Sequence, residues 1–486
     1  MTALHETDAL SLAAMVRSGS ITAESVVEQT LSRIARLDGT LNCFTTLLAD
    51  RAMRAARGID IRIRRGENPG PLCGVPFGVK NLFDVQGVVT VAGSKILRER
   101  QPAGQDATVI KRMQEAGAIL IGALNMDEFA YGFTTENEHY GTTRNPHDVS
   151  CIAGGSSGGS AASVAARLLH ITLGSDTNGS VRVPASLCGV YGLKPTYGRL
   201  SRAGLFPFVD SLDHVGLFAR TARDLALGYD VLQSADTGDR SLQGRPVEAT
   251  LPTLEAGVDA LRVGILEGWF QQHAGTEVLA AVAKVAAALH STGRVELPHA
   301  DVARSAAFCI TAAESGNLHL DSLRCRPQDF DPATRDRFLA GALLPAAVVV
   351  QAQRFRAWFR EAVRGIFREY DLLIAPTTFC AAPKLGQATI RHGEQILAVR
   401  ANLGLFTQPI SFIGLPVVAV PVETCDAMPL GVQIIAAPWR EDLALRLAAA
   451  LERRGVLASH RYEEPVESRT GVSPGDGRAG SSGART

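Results

Sequence analysis

The sequence predicts an α/β fold, and three observations predict it. Short apolar runs such as Ala118 to Gly122 and Leu372 to Ala375, and Gly431 to Ile435 with Gln433 its one polar residue, have the length and flanks of buried strands. Longer segments with apolar residues at helical spacing, such as 22–37 and 276–289, alternate with them. Glycine separates the two kinds: a helix from Asp106 to Ala116, then Gly117, then the strand at 118–122.

Taken in order, a short amphipathic segment near the N-terminus precedes a helix that starts at Thr22, a residue suited to an N-cap, and buries Val26, Val27, Thr30, Leu31 and Ile34. A second helix is expected over Ala49 to Arg57, before a basic loop that ends at Pro71. Gly74 to Lys80 reads as a buried strand with Lys80 at its end, and the polar and aromatic stretch 125–137 as a pocket wall. Gly154 to Ser160 reads as a sharp turn entering a buried helix at Ala161, and Gly174 to Ser180 as a second turn of similar composition. Residues 234–258 read as a surface connection. A new α/β unit follows: strand 261–266, helix 276–289 and strand 295–297. Helices at 303–317 and 345–367, strands at 372–375, 417–420 and 431–435, and a helix at 443–453 complete the chain. Glu464 to Thr486 is too polar to bury and is expected to be disordered.

Of the 486 residues 46% are hydrophobic, enough for a sizeable core. Lys+Arg and Asp+Glu are both 49, so no net charge draws the chain to nucleic acid or an anionic membrane, and a small molecule or a protein is the expected partner. The eight cysteines include no Cys-x-x-Cys pair, so neither a zinc site nor a redox motif is indicated. The start of the chain lacks a secretory signal, and the longest apolar run, 340–350, contains Pro345 and falls short of the ~18 residues of a membrane span. A cytoplasmic location is the expectation.

Two glycine-serine turns point to one composite site. A serine hydroxyl attacks an amide only when a base takes its proton. His139, His147, His170 and His214 are available, but none lies in a nucleophile-elbow context. Lysine is the other candidate base, effective once burial lowers its pKa, and Lys80 has the most apolar setting, among Val75, Pro76, Phe77 and Val79. A phosphate cradle built from the N–H groups of the first turn is the reading from another class. It lacks the P-loop lysine, since Gly159 is followed by Ser160 and Ala161.

The stretches Gly74 to Asp84, Gly154 to Ser160, Gly174 to Pro184 and Gly189 to Arg199 resemble those of the amidase signature family, with similarity running from about Leu10 to Arg453. The resemblance implies a large mixed β-sheet covered by helices on both faces. One domain would then span 1–463, with N-terminal helices within 8–57 and an α/β insertion near 259–330. It also implies a Ser-cisSer-Lys triad without metal or cofactor: Ser180 as nucleophile, Ser156 as proton relay, with Ser157 as the alternative, and Lys80 as base. The backbone N–H groups of Thr177, Asn178, Gly179 and Ser180 would form the oxyanion hole. Asp176 and Arg182 would support that loop. Asn178 stands where glycine is more usual in the family.

Within the family, 125–137 and 189–196 are similar to the glutaminase subunit of tRNA-dependent amidotransferases. The stretch 400–409, where that subunit places an acidic residue for the glutamine amino group, has no carboxylate here. Residues 125–140, 174–184, 211–214, 313–330, 353–356 and 434–439 are more similar to the branch that releases ammonia from a small ureido acid, with 1-carboxybiuret the implied substrate. Such an anion needs a cation in the pocket, for which Arg324, Arg326 and Arg337 are candidates, with Tyr131, Gly132 and Phe133 as lining. The same resemblance implies a small helical partner subunit.

Overall fold

The computed structural model describes residues 4–242, 244–392, 394–422, 428–460, 462 and 464. The expected disordered tail therefore lies, from residue 465 onward, outside the described residues. The strands of the main sheet are, in chain order, β1 (Phe44–Leu47), β2 (Pro76–Lys80), β3 (Ile119–Leu124), β4 (Ile171–Asp176), β5 (Tyr191–Lys194) and β6 (His214–Ala219). They continue with β7 (Val263–Leu266), β8 (Gly293–Val295), β9 (Leu372–Pro376), β10 (Val417–Val422) and β11 (Leu430–Ala436). Together they form one eleven-stranded sheet in the order β1-β3-β2-β4-β6-β5-β10-β11-β9-β7-β8. The sheet is mixed: β2 runs parallel to β3 and β4, and β7 parallel to β8 and β9, while β4 pairs antiparallel with β6 and β10 with β11.

Every residue of β2, β3, β4, β6, β10 and β11 is buried, which requires both faces of the sheet to be covered. The longer helices that share this task are α1 (Ala9–Arg17), α2 (Ala23–Leu41), α3 (Ala49–Arg64), α4 (Thr108–Glu115), α5 (Gly158–Ala165), α6 (Arg182–Cys188) and α7 (Ala222–Leu232). Beyond them come α8 (Thr276–Ala288), α9 (Ala300–Leu318), α10 (Leu320–Cys325), α11 (Pro332–Ala342), α12 (Ala346–Ile366) and α13 (Glu441–Arg453). No single helix among the described residues is long and apolar enough to cross a membrane.

Most expected elements fall within a few residues of their places, and Thr22 caps α2 by accepting from the Ser25 N–H at 3.1 Å. Three departures have physical reasons. Helix α3 runs past Arg57 to Arg64, because Ala52, Ala56 and Ile59 continue one buried face through Gly58. Gly174 is part of strand β4 and not of a turn. A Cβ there would lie 2.8 Å from the Ser157 Oγ, so glycine serves close packing against the first loop. Pro184 stands inside α6, in its first turn, where a missing N–H costs little.

The sheet register gathers the chemistry. Strands β2 and β4 pair in parallel with Val79 opposite Leu173, so Lys80 and Ser175 emerge at the same carboxyl edge. Ligands in open α/β sheets sit at such edges. Helix α9 closes over this region, docked on α11 through two glycines: a Cβ on Gly341 would stand 1.9 Å from the Ala312 oxygen, and one on Gly316 2.5 Å from the Ala342 nitrogen.

Two helix glycines should therefore respond with opposite sign to alanine. Gly341→Ala overpacks the α9–α11 contact and is expected to cost about 1–3 kcal/mol. Gly58→Ala, which meets nothing within 4 Å, is expected to stabilise by about 0.5–1 kcal/mol. Urea midpoints of the two variants check both.

Candidate active site

Lys80 ends β2 fully buried, and its Nζ lies 2.7 Å from the Ser156 Oγ and 3.0 Å from the Ser175 Oγ. Burial drives its pKa down to about 7, against the fields of Asp127, Asp213 and Asp176, which favour the ammonium. Ser156 belongs to the loop that enters α5, and the Gly155–Ser156 peptide bond is cis. The neighbouring Ser157 is engaged otherwise: its hydroxyl donates to the Ser175 carbonyl at 3.2 Å and its N–H to the Ser180 carbonyl at 3.3 Å. The two glycine-serine segments are thus stitched directly to each other, and the lysine meets Ser156 and not Ser157.

Asp127 holds this arrangement from the side. Its carboxylate accepts the N–H groups of Thr134 and Thr135 and sits where a Cβ on Gly155, 2.1 Å away, or on Gly132, 2.4 Å away, would collide with it. Burial pushes its pKa up to about 6. In the sequence Asp127 stands out only as part of a pocket wall, and Ser175 goes unmarked. The one signal for Ser175 is its position between Gly174 and Asp176, at the end of an apolar run.

The second loop is built on Asp176. Its carboxylate accepts the N–H groups of Gly179 at 2.8 Å and Val181 at 3.2 Å, and it forms a two-pronged ion pair with Arg182, Nε to Oδ2 and Nη2 to Oδ1, both at 3.0 Å. Both side chains are fully buried. Burial alone would raise the Asp176 carboxyl, but the Arg182 guanidinium holds it well below the usual carboxylate range. Arg182 is further satisfied by the Thr407 carbonyl, the Gln433 Oε1 and the Ser411 hydroxyl. Gly179 has φ +135°, and a Cβ there would meet the Thr407 Oγ1 at 2.1 Å, so only glycine fits.

This geometry corrects one expectation. The N–H of Gly179 is spent on Asp176 and cannot serve an oxyanion. The phosphate cradle fails for a similar reason: the N–H groups of Ser157, Gly158 and Gly159 donate to the Ser180 carbonyl, the Thr135 Oγ1 and the Asn125 carbonyl. Three of the four histidines are also employed elsewhere. His139 contacts the Glu128 carboxylate at 3.0 Å, His147 the Cys188 carbonyl, and His214 the Leu212 carbonyl. Among the described residues no group of three or more His, Cys, Asp or Glu side chains is placed to hold a metal ion.

Ser180 opens onto a narrow cavity of about 10 Å³, room for little more than one water molecule. Tyr131, Gly132, Phe133, Thr177, Asn178, Phe308, Thr311, Arg337 and Gln408 share its wall. Of the three candidate arginines only Arg337 is there, with its guanidinium 3.7 Å from the Tyr131 ring centre and its Nη1 donating to the Tyr131 carbonyl at 3.1 Å. Arg324 is exposed on α10, and Arg326 pairs with Asp329 and Glu99 at the surface, so neither lines the cavity. Thr311 and Gln408 had no sequence signal. A helix 133 residues beyond Asn178 supplies the first, and a short helix (Gln408–Ser411) ahead of β10 the second.

A family model described as amidase matches residues 25–445. The chain is 51% identical over 443 residues, 91% of its length and 97% of the relative's, to AtzE, a 1-carboxybiuret hydrolase subunit of Pseudomonas sp. (strain ADP). It is 38% identical to a glutamyl-tRNA(Gln) amidotransferase subunit of Anaeromyxobacter sp. (strain K), covering 90% of this chain and 94% of that one. Among solved structures, one reported as an unexpected vestigial protein complex revealing the origins of an s-triazine catabolic enzyme superposes with TM-score 0.92 at 50% identity. It covers 93% of this chain and all of that one.

Breaking the Asp176–Arg182 pair from one side leaves a buried charge without its partner. Arg182→Met is expected to destabilise the protein by about 3–5 kcal/mol, read from denaturant unfolding at neutral pH.

Proposed function

The chain belongs to the amidase signature family of amide C–N hydrolases, and on that footing we propose that it releases ammonia from 1-carboxybiuret or a close ureido acid. The observation that carries this reading is a buried lysine bonded to Ser156, in a loop tied to that of Ser180, and at Ser180 a small cavity with one cation and no carboxylate among its described lining residues. A flat anionic substrate fits that lining, with its carboxylate at Arg337. Free glutamine carries an ammonium group, and no described lining residue offers it a counter-charge, which disfavours the glutaminase alternative. The 51% identity to a 1-carboxybiuret hydrolase component, against 38% to an amidotransferase component, points the same way.

In the mechanism we infer, the neutral Lys80 amine takes the Ser156 hydroxyl proton while Ser156 takes that of Ser180. The Ser180 Oγ then bonds to the scissile carbonyl carbon. The oxygen becomes an alkoxide, met by N–H groups of Thr177, Asn178 and Ser180 in place of the four first expected. The C–N bond breaks, and the leaving nitrogen departs as ammonia with the proton returned through Ser156. Water then attacks the acyl-enzyme by the same relay and frees Ser180. We also infer a small helical partner subunit. The 51%-identical relative is itself called a subunit, and Leu343, 82% exposed, and Val350, 58% exposed, offer apolar surface.

Purified chain, with and without a co-expressed small subunit, should release ammonia from 1-carboxybiuret. Ser180→Ala should lower turnover at least about 10³-fold with unfolding unchanged; near-normal activity in that variant would sink the assignment. Because only the neutral amine accepts a proton, kcat/KM should rise with pH and level off above an apparent pKa near 7. A flat profile between about pH 6 and 9 would remove Lys80 as the base.

A further inference from the structure

Asn178 brings an amide side chain into the turn that carries Ser180, and the structure fixes its direction. Its Nδ2 donates to the Thr311 Oγ1 at 2.9 Å, and its backbone carbonyl accepts the Thr407 hydroxyl at 2.6 Å, so the residue is pinned at both ends. The Oδ1, on the other branch of the amide, is buried and receives no hydrogen bond from any described residue. Asn178 is 6% exposed and Thr311 1%, and both line the cavity with Ser180. A buried carbonyl oxygen without a donor is costly. A ligand N–H offsets that cost and a methylene does not.

We propose that the Asn178 Oδ1 is the acceptor that reads an N–H in the acyl part of the substrate, and that Thr311 positions it. This rests on the ureido-acid reading and deepens it. A ureido chain carries N–H where an ordinary aliphatic amide carries CH2, so an acceptor fixed near the nucleophile selects one class over the other. A site built around a hydrogen bond to N–H rejects the analogue that lacks it, because its own polar group then stays unpaired. Thr311 reaches Asn178 from α9. That helix is anchored by the Gly316–Gly341 contact with α11 and by Glu314, whose carboxylate accepts the Ser211 N–H at 3.1 Å and hydroxyl at 2.6 Å. The acceptor is therefore held by elements remote in sequence from the catalytic loops.

Biuret and malonamide differ only by NH in place of CH2 between their two carbonyl groups, which makes them the probe pair. The full chain, with its partner subunit when activity requires one, is assayed for each compound by ammonia release. A compound that is not turned over is measured instead by its protection of Ser180 against a serine-directed acylating reagent. The preference for biuret over malonamide should fall about 10-fold or more in Asn178→Gly, by the loss of one buried hydrogen bond. Thr311→Val should lose part of the preference, mostly in KM, and Thr311→Ser should restore it. Equal losses for both compounds in Asn178→Gly, or an unchanged ratio, would overturn the proposal. Wild-type inactivity toward 1-carboxybiuret alongside an Asn178-dependent ratio would instead overturn the substrate reading and leave this one standing.

Discussion

Lys80 is sealed from water, has no counter-ion in contact among the described residues and bonds there to serine hydroxyls, and this sets the terms for everything around it. Burial brings Lys80 down to about 7, yet three carboxylates lie close enough to pull it back up. Each of them has its own donors. Asp176 is paired with Arg182, Asp127 takes the N–H groups of Thr134 and Thr135, and Asp213 takes the Thr177 hydroxyl with the N–H groups of Phe208 and Val209. Had any of them touched the amine directly, the ammonium would have been locked in place and the base lost. Lys194 supplies the contrast. Burial lowers it to about 7 as well, but its Nζ contacts the carbonyl oxygens of Pro195 and Leu415, acceptors that call for a donor. Similar desolvation, with different partners, makes one lysine a candidate base and the other a structural tie.

The two glycine-serine loops illustrate how backbone donors are apportioned. In the first, the N–H groups of Ser157, Gly158 and Gly159 are consumed in binding the loop to its neighbours, which leaves side-chain hydroxyls as its chemistry. In the second, Asp176 draws in Gly179, Val181 and Arg182 and so fixes the curvature of the turn around Ser180. The buried ion pair at its root is expensive to desolvate, and its full set of hydrogen bonds to Thr407, Gln433 and Ser411 offsets that cost. Those three partners come from the C-terminal third of the chain, so the Ser180 loop is held by residues far along the sequence.

Much of the architecture was legible in the residues. Apolar runs marked β3, β9, β10 and β11, and Thr22 marked the start of α2, since these signals are local. Strands β1, β4, β5 and β6 went unread, because β1 carries Thr45 and Thr46 amid its apolar residues, β4 runs into the glycine-serine segment read as a turn, and β5 and β6 are broken by Gly192 and Gly216. At the site, glycine spacing singled out the two loops and an apolar setting singled out Lys80. The same reasoning could not tell Arg337 from Arg324 and Arg326. All three are arginines in one helical region, and only the packing of α11 over Tyr131 turns one of them inward.

The sequence by itself determined the α/β class, the glycine-serine loops, a lysine suited to burial and the family these imply, because each rests on residue type at short range. The tertiary structure alone decided that Lys80 meets Ser156 and Ser175, that the Gly179 N–H is spent on Asp176, and that Thr311 and Gln408 wall the cavity. Those facts depend on the register of β2 against β4 and on a helix arriving from 133 residues away. Hydrogen bonds are satisfied in space, by whichever group the fold brings within about 3 Å.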